Sequence, residues 1–323
     1  MKRGVVLLKK YGWIIPVGIL VVAGAFVAWY LHGRPVAITQ PAGTVGIKER
    51  NLMLLALTLS VIVVVPVFIM AGLIAWRYRE QNPRPAKYQP EWDHSRLFEG
   101  IWWGIPIVII GILSVVTWNS SHALDPYRSL DGQSDVSALH IQVVALDWKW
   151  LFIYPDQHIA SVNLAEIPTG QQVDFEVTSD TIMNSFWVPA LGGQIYAMPG
   201  MSTHLHEQVD KPGEYLGSPA NIAGHGFARM DFTVRAASKQ QFDNWVIEAR
   251  QANRNLTDET YKQLAKPSDS VPVGYYSWVN DGLFSDVVMK YMMPMADSNV
   301  ANGASNDTMN MDMSGMDMSG GMQ

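Results

Sequence analysis

Residues 53–76 read MLLALTLSVIVVVPVFIMAGLIAW, 24 consecutive positions without Asp, Glu, Lys or Arg. An α-helix rises 1.5 Å per residue, so about 20 such residues cross the roughly 30 Å of hydrocarbon in a bilayer. A core helix of a soluble protein is seldom so long and so uniformly apolar, and the stretch therefore predicts a membrane span. Working outward, residues 12–31 and 101–118 are further charge-free runs of 20 and 18 positions. Pro66 and Pro106 fall inside two of the runs. Proline is tolerated in lipid because neighbouring groups satisfy the carbonyl it frees. The sequence thus predicts a transmembrane helical hairpin over 45–118, with spans at 53–76 and 98–118. Residues 1–31 have two readings, since Lys9 and Lys10, an apolar stretch and Ala23-Gly24-Ala25 fit a cleavable signal peptide as well as an N-terminal anchor.

Short loops set the orientation. Arg77, Arg79, Arg84, Lys87 and Arg96 lie between the two hairpin spans, and Lys2, Arg3, Lys9 and Lys10 precede the first run. Positively charged loops stay on the cytoplasmic side, which places residues 32–52 and everything after Trp118 outside. Composition agrees. The chain has 323 residues, 48% apolar and only 16% charged, and a net charge of −6 that is unevenly shared. Residues 1–118 carry 12 basic and 5 acidic side chains, the remainder 11 and 24, so the outer part is acidic and nucleic acid is excluded as a partner. The absence of cysteine excludes disulfides, iron–sulfur clusters and thiolate metal sites.

After a polar linker at 125–135 come short alternating runs at 140–146, 150–154, 160–164, 173–177, 185–188, 194–198, 203–208 and 230–234. Turn chemistry such as Pro168-Thr169-Gly170, Pro199-Gly200 and Lys211-Pro212-Gly213 separates them. This spacing predicts an all-β sandwich over 136–236. From residue 237 the period becomes helical, with Phe242, Trp245, Val246 and Ala249, and a short helical extension is expected over 237–295. Residues 296–323 have no apolar period other than methionine and are expected to be disordered.

Three longer motifs narrow the reading: Tyr88-Gln89-Pro90-Glu91-Trp92-Asp93-His94-Ser95, Asp147-Trp148-Lys149-Trp150-Leu151-Phe152-Ile153-Tyr154-Pro155 and Met183-Asn184-Ser185-Phe186. With Val188-Pro189 and Tyr196-Ala197-Met198-Pro199-Gly200, they resemble subunit II of the haem-copper terminal oxidases, and more narrowly the subunit II family of the cytochrome bo-type ubiquinol oxidases. The resemblance covers nearly the whole chain and implies that the sandwich is cupredoxin-like. It also implies a multi-pass protein of the bacterial inner membrane with a periplasmic C-terminal domain. The aromatic-rich residues after 237, among them Trp245, Tyr275, Tyr276 and Trp278, resemble the C-terminal extension of the quinol-oxidising branch.

The cytochrome c oxidase branch holds a dinuclear copper centre on a His followed by a C-x-E-x-C-x3-H-x2-M motif. Aligned on that pattern, this chain has Asn184 for the first His, then Pro219, Asn221, Ala223 and Phe227, and retains only Met230. Without bridging thiolates that centre cannot assemble. The resemblance therefore implies that this subunit binds no cofactor. The haems, the copper and the ubiquinol site are expected in a partner subunit I, with smaller membrane subunits and lipid around them, and cytochrome c is not the expected donor. The function implied is that of a non-catalytic subunit in a proton-pumping ubiquinol oxidase that reduces O2 to water.

Other candidates have competing readings. His225 lies two positions from the lost ligand at Phe227, where an extended segment would turn both to one side, yet a lone loop histidine is commonly structural. His204 and His206 share one face of a predicted strand and read as a solvated face, although they stand within chelating reach of each other. Trp148 and Trp150 alternate with Asp147 and Lys149, which puts both indoles on one strand face as packing groups. Glu99 lies at the cytoplasmic mouth of the third run. From the residues alone it is a carboxylate favoured by a helix N-terminus, whereas the resemblance implies the entrance of a proton channel in subunit I. The six tail methionines Met309, Met311, Met313, Met316, Met318 and Met322 have the M-x-M spacing that suits Cu(I), and equally fit a solvated low-complexity tail. Two other functions stay open: a cytochrome c oxidase subunit with a modified metal site on some of His204, His206, His225 and Met230, and a solitary membrane-anchored copper-binding protein.

Overall fold

The computed structural model describes residues 37–79, 93–130 and 138–292, with Glu91 and a few isolated positions between 22 and 30. The signal-or-anchor reading of 1–31 rests mostly on residues outside this set, and the methionine tail 296–323 lies wholly outside it. Among the described residues the first two continuous elements are long helices, α1 (Thr44–Arg77) and α2 (Arg96–Ala123). Their most apolar windows have mean hydropathies of 2.9 and 2.1, and no residue of either window is buried within the chain. Exposed Leu, Ile, Val, Phe and Trp along both helices need lipid or a protein partner to cover them. At 34 residues α1 is about 51 Å long, more than the hydrocarbon requires. The surplus is at its N-terminus, where Val45 and Gly46 are buried against the sandwich.

The sandwich has strands β1 (Leu139–Leu146), β2 (Lys149–Tyr154), β3 (Ile159–Val162), β4 (Leu164–Pro168), β5 (Gln172–Ser179), β6 (Asn184–Trp187), β7 (Gln194–Ala197), β8 (Thr203–Gln208), β9 (Gly213–Pro219) and β10 (Phe232–Ala237). The extension adds α3 (Lys239–Arg250), β11 (Asn255–Leu256), α4 (Asp258–Leu264), β12 (Gly274–Tyr276), β13 (Trp278–Val279) and α5 (Leu283–Met292). One sheet has the order β12-β3-β2-β1-β5-β8 and the other β4-β10-β9-β6-β7. Between them lies an aromatic core: Phe186 stacks on Phe232 at 5.1 Å, and Trp150 meets Phe186 edge-on at 5.6 Å. Alternate positions of β1 and β2 point the other way, yet Val144, Leu146, Leu151 and Ile153 are also buried, under Leu256, Tyr261, Leu283, Phe284 and Val287 of the extension. Two-sided burial explains why these strands are apolar at nearly every position.

Three expectations need correction. The run 160–164 is two strands, β3 and β4, which belong to different sheets. Asn163 between them takes a left-handed φ of 57°, and its Oδ1 accepts the Trp150 amide. Asparagine tolerates that conformation better than most residues, so the break is where the chain crosses the sandwich. Strand β9 was not anticipated, because its exposed positions outnumber its buried ones. Trp148 is not on a strand: it occupies the two-residue turn that joins β1 to β2, with φ 64°.

Candidate functional site

The positions aligned with copper ligands converge at one end of the sandwich. Asn184 opens β6 and is 1% exposed, its Nδ2 donating to the Ile182 carbonyl at 3.1 Å while its buried Oδ1 has no hydrogen-bond partner among the described residues. Pro219 ends β9, and Asn221 follows it, accepting from the Ser185 hydroxyl. Ala223 is buried, Phe227 begins a single 3-10 turn, and Met230 is buried in the core. Pro219, Ala223 and Phe227 carry no side-chain donor atom, so the donors offered here are two amides and one thioether. Among the described residues no three His, Cys, Asp or Glu side chains are grouped to hold a metal ion.

Two indoles organise this loop. Trp148 Nε1 donates to the Ala223 carbonyl at 2.9 Å, and Trp150 Nε1 donates to the Met230 carbonyl at 3.1 Å. Gly224 and Gly226 let the loop pass beneath the Trp148 ring, since a Cβ at Gly226 would sit 2.3 Å from its indole carbons. The sequence reading put both indoles on one face. Although the turn overturns that geometry, the pair does meet the same loop. His225 is exposed and lies in a loop rather than an extended segment, with its ring 5.9 Å from that of Trp148.

His204 and His206 do share the outer face of β8, where both are half-buried and each has a partner. His204 Nδ1 lies 3.1 Å from Asp174 Oδ1, and His206 Nδ1 donates to the Pro126 carbonyl at 2.9 Å. Beside them Glu176 accepts from His140, Gln142 and Ser202. Burial pushes the Glu176 carboxyl up, but these bonds outweigh it and hold the group at about 2. The same bond to Glu176 raises His140 above the usual histidine range against the opposing effect of burial.

Glu99 is in the first turn of α2, whose N-cap is Ser95. Twenty-four residues of helix separate it from Ala123, roughly 36 Å, so it stands at the opposite end of the hairpin from the sandwich. The structure brings the positions aligned with copper ligands together with Trp148, Trp150 and His225, and leaves Glu99 apart from them.

Sequence reasoning missed the buried charges, Lys149 and Glu207 among them. Lys149 is 0% exposed, its Nζ donating to the Lys266 carbonyl at 2.8 Å and to Ser268 Oγ at 2.6 Å. Desolvation pulls its ammonium below the usual lysine range, opposed by the charge of Asp147. Glu207 is 2% exposed on β8, where Thr203, Leu205 and Glu207 all face inward. Placing His204 and His206 outward already implies an inward Glu207.

A two-helix membrane anchor carrying a cupredoxin-like β-sandwich defines a membrane-anchored protein of the oxidase subunit II class. Residues 157–237 match the family described as Cytochrome C oxidase subunit II, periplasmic domain, and residues 250–295 match the COX Aromatic Rich Motif. The cytochrome bo(3) ubiquinol oxidase subunit 2 of Pseudomonas putida is 49% identical over 81% of this chain and 82% of its own length. That of Pseudomonas aeruginosa is 46% identical over 82% and 79%, and the ubiquinol oxidase subunit 2 of Acetobacter aceti 44% over 82% and 85%. The chain belongs to the ubiquinol oxidase subunit 2 family. This is the family that the Asp147 to Pro155 and Met183 to Phe186 motifs resemble.

Proposed function

We propose that this chain is the copper-free, non-catalytic subunit II of a proton-pumping ubiquinol oxidase. Its hairpin packs on a haem-copper subunit I, alongside smaller membrane subunits, and its sandwich covers the periplasmic face of the bacterial inner membrane. The reading rests above all on the donor set at Asn184, Pro219, Asn221, Ala223, Phe227 and Met230. Two amides and a thioether, without thiolate or imidazole, do not suit a dinuclear copper centre that carries electrons. Electrons from a soluble one-electron carrier would have no acceptor here. A membrane-soluble two-electron donor, ubiquinol, delivers them to subunit I directly, where the haems and copper are held.

Glu99 has the second role in this reading. A carboxylate at the cytoplasmic mouth of a membrane helix is positioned to admit protons to the partner subunit, and burial at a subunit interface would give it the cost that such a role explains.

The test is purification of the assembled oxidase through a tag on this chain. Haem co-purification, oxidation of ubiquinol but not of reduced cytochrome c, and no copper on the separated subunit II are expected. Copper bound to the separated subunit, or turnover with cytochrome c, overturns the reading.

A further inference from the structure

The N-terminus of α1 is joined to the sandwich by backbone bonds. Ala42 N donates to the Ala190 carbonyl at 2.7 Å, Gly46 N to the Leu191 carbonyl at 2.7 Å, and Asp210 N to the Ala42 carbonyl at 2.9 Å. Gly192, with φ 122°, and Gly193 complete the joint. A Cβ at Gly192 would lie 3.0 Å from Glu49 Oε2, and one at Gly193 would lie 2.9 Å from Glu207 Oε1. Two carboxylates, one from α1 and one from β8, therefore rest against adjacent glycines.

Glu207 finds no compensation among the described residues. Among the described residues both Glu207 oxygens are buried without a hydrogen-bond partner, and the nearby charge that bears on them is that of Glu49, which has the same sign. Lys48 and Arg50 flank Glu49 on the helix, with Arg50 Nη2 donating to Asn51 Oδ1. Asp125 from the linker after α2 and His206 from β8 line the same cavity as Glu49 and Gly193. The Nδ1 of His206 donates to the Pro126 carbonyl, and its Nε2 lies 3.8 Å from Asp174. Asp210 accepts from Thr44 Oγ1 at 3.2 Å. Among these groups no cation pairs with Glu207. An ionised carboxylate so placed has lost its water and gained nothing, whereas the protonated form removes both the desolvation cost and the repulsion.

We propose that Glu207 and Glu49 form a proton-binding pair at the joint between membrane helix and sandwich, in which Glu207 is a carboxylic acid at neutral pH. The proton exchanges with water in the adjoining cavity of about 140 Å³, which is large enough to hold several molecules. Because the two carboxyls come from different elements, ionisation of the pair places like charges across the joint and loosens it. The site is separate from the aligned copper positions and from Glu99, and does not depend on which donor reduces the oxidase.

Infrared titration of the purified, assembled oxidase tests this, using the carbonyl stretch of protonated carboxyls and needing neither quinol nor oxygen. The wild type should show a carboxylic acid band at neutral pH that is absent from Glu207→Gln and that disappears with a midpoint above neutrality. In Glu49→Gln, with the like charge gone, that midpoint should fall by about one pH unit or more. An identical spectrum for Glu207→Gln, or a midpoint in the ordinary carboxylate range, overturns the protonated state. An unchanged midpoint in Glu49→Gln overturns the pairing. Should Glu207→Gln fail to assemble, the comparison of wild type with Glu49→Gln decides both questions.

Discussion

The indole N–H of Trp148 donates to the backbone carbonyl of Ala223 at 2.9 Å, across 75 positions of sequence. That bond satisfies the carbonyl of a buried residue in the loop that carries the positions aligned with copper ligands. Trp150 does the same for Met230 from the first position inside β2 that faces the core. The loop is thus braced by two tryptophans at a two-residue hairpin, and its shape depends on how closely it can approach them.

Gly226 sets that approach. Its missing Cβ leaves space for the Trp148 ring, and Gly226→Ala should displace the indole and break its bond to Ala223. Overpacking of this kind costs about 1–3 kcal/mol. Thermal unfolding and tryptophan emission, compared with Trp148→Phe, check it: the two variants should be similarly destabilised and the double variant scarcely worse. Additive losses would mean that Gly226 acts elsewhere.

The membrane hairpin was legible in the sequence because 24 positions without a charged residue make a stripe too long and too uniform for a half-buried surface helix. The β-sandwich was legible in its alternating strands. What stayed hidden depended on the surface packed against each residue. Nothing near Trp148 signals a left-handed turn, since tryptophan seldom adopts one, and a strand was the simpler expectation. Lys149 in an apolar run has the pattern of an outward side chain, and only the cover supplied by residues 266–268 buries it. Glu207 was legible in principle, because the period of β8 that turns His204 and His206 outward turns their neighbour inward.

The extension is fastened through Asp180. Tyr261 OH donates to its Oδ2 at 2.8 Å, Lys290 Nζ to its Oδ1 at 2.7 Å, and Tyr291 OH to its carbonyl at 2.7 Å. The Asp180 side chain is 3% exposed and that of Lys290 57%. Asp180→Ala leaves the buried Tyr261 hydroxyl unpartnered and should cost about 2–4 kcal/mol, whereas Lys290→Ala, removing a half-exposed partner, should cost less than about 1 kcal/mol. Limited proteolysis is the readout, with cleavage within residues 250–292 accelerated far more by the first substitution. Equal rates would show that apolar packing alone holds the extension.

The His140–Glu176 bond on the outer face of the first sheet predicts a bounded pH range of stability. Glu176 is held at about 2, so its contribution is complete above the unfolded carboxylate value of about 4.3 and is lost as pH falls toward 2. His140 is raised, so its contribution is complete below about 6.5 and is lost as pH rises through its folded value. Between those limits the pair should contribute about 1 kcal/mol, kept small by its partial exposure. Thermal unfolding against pH should show His140→Gln losing the alkaline decline that the wild type has. Parallel curves would remove His140 as its source.

The role proposed for Glu99 bears directly on turnover. If it only capped α2, its replacement would alter helix stability by about 0.3–1 kcal/mol and leave the reaction untouched. If it admits protons to subunit I, Glu99→Gln should preserve assembly and haem content while lowering turnover by about tenfold, equivalent to about 1.4 kcal/mol on the barrier. Glutamine keeps the shape and hydrogen-bonding reach of the side chain and removes only the ability to take up a proton. Glu99→Asp, which retains the carboxyl, should restore much of the rate. The informative measurement is oxygen consumption by the assembled enzyme with saturating ubiquinol, alongside its haem content. Wild-type turnover in Glu99→Gln would leave the carboxylate with a capping role, whereas a slow but fully assembled enzyme rescued by aspartate would require a proton to pass through position 99.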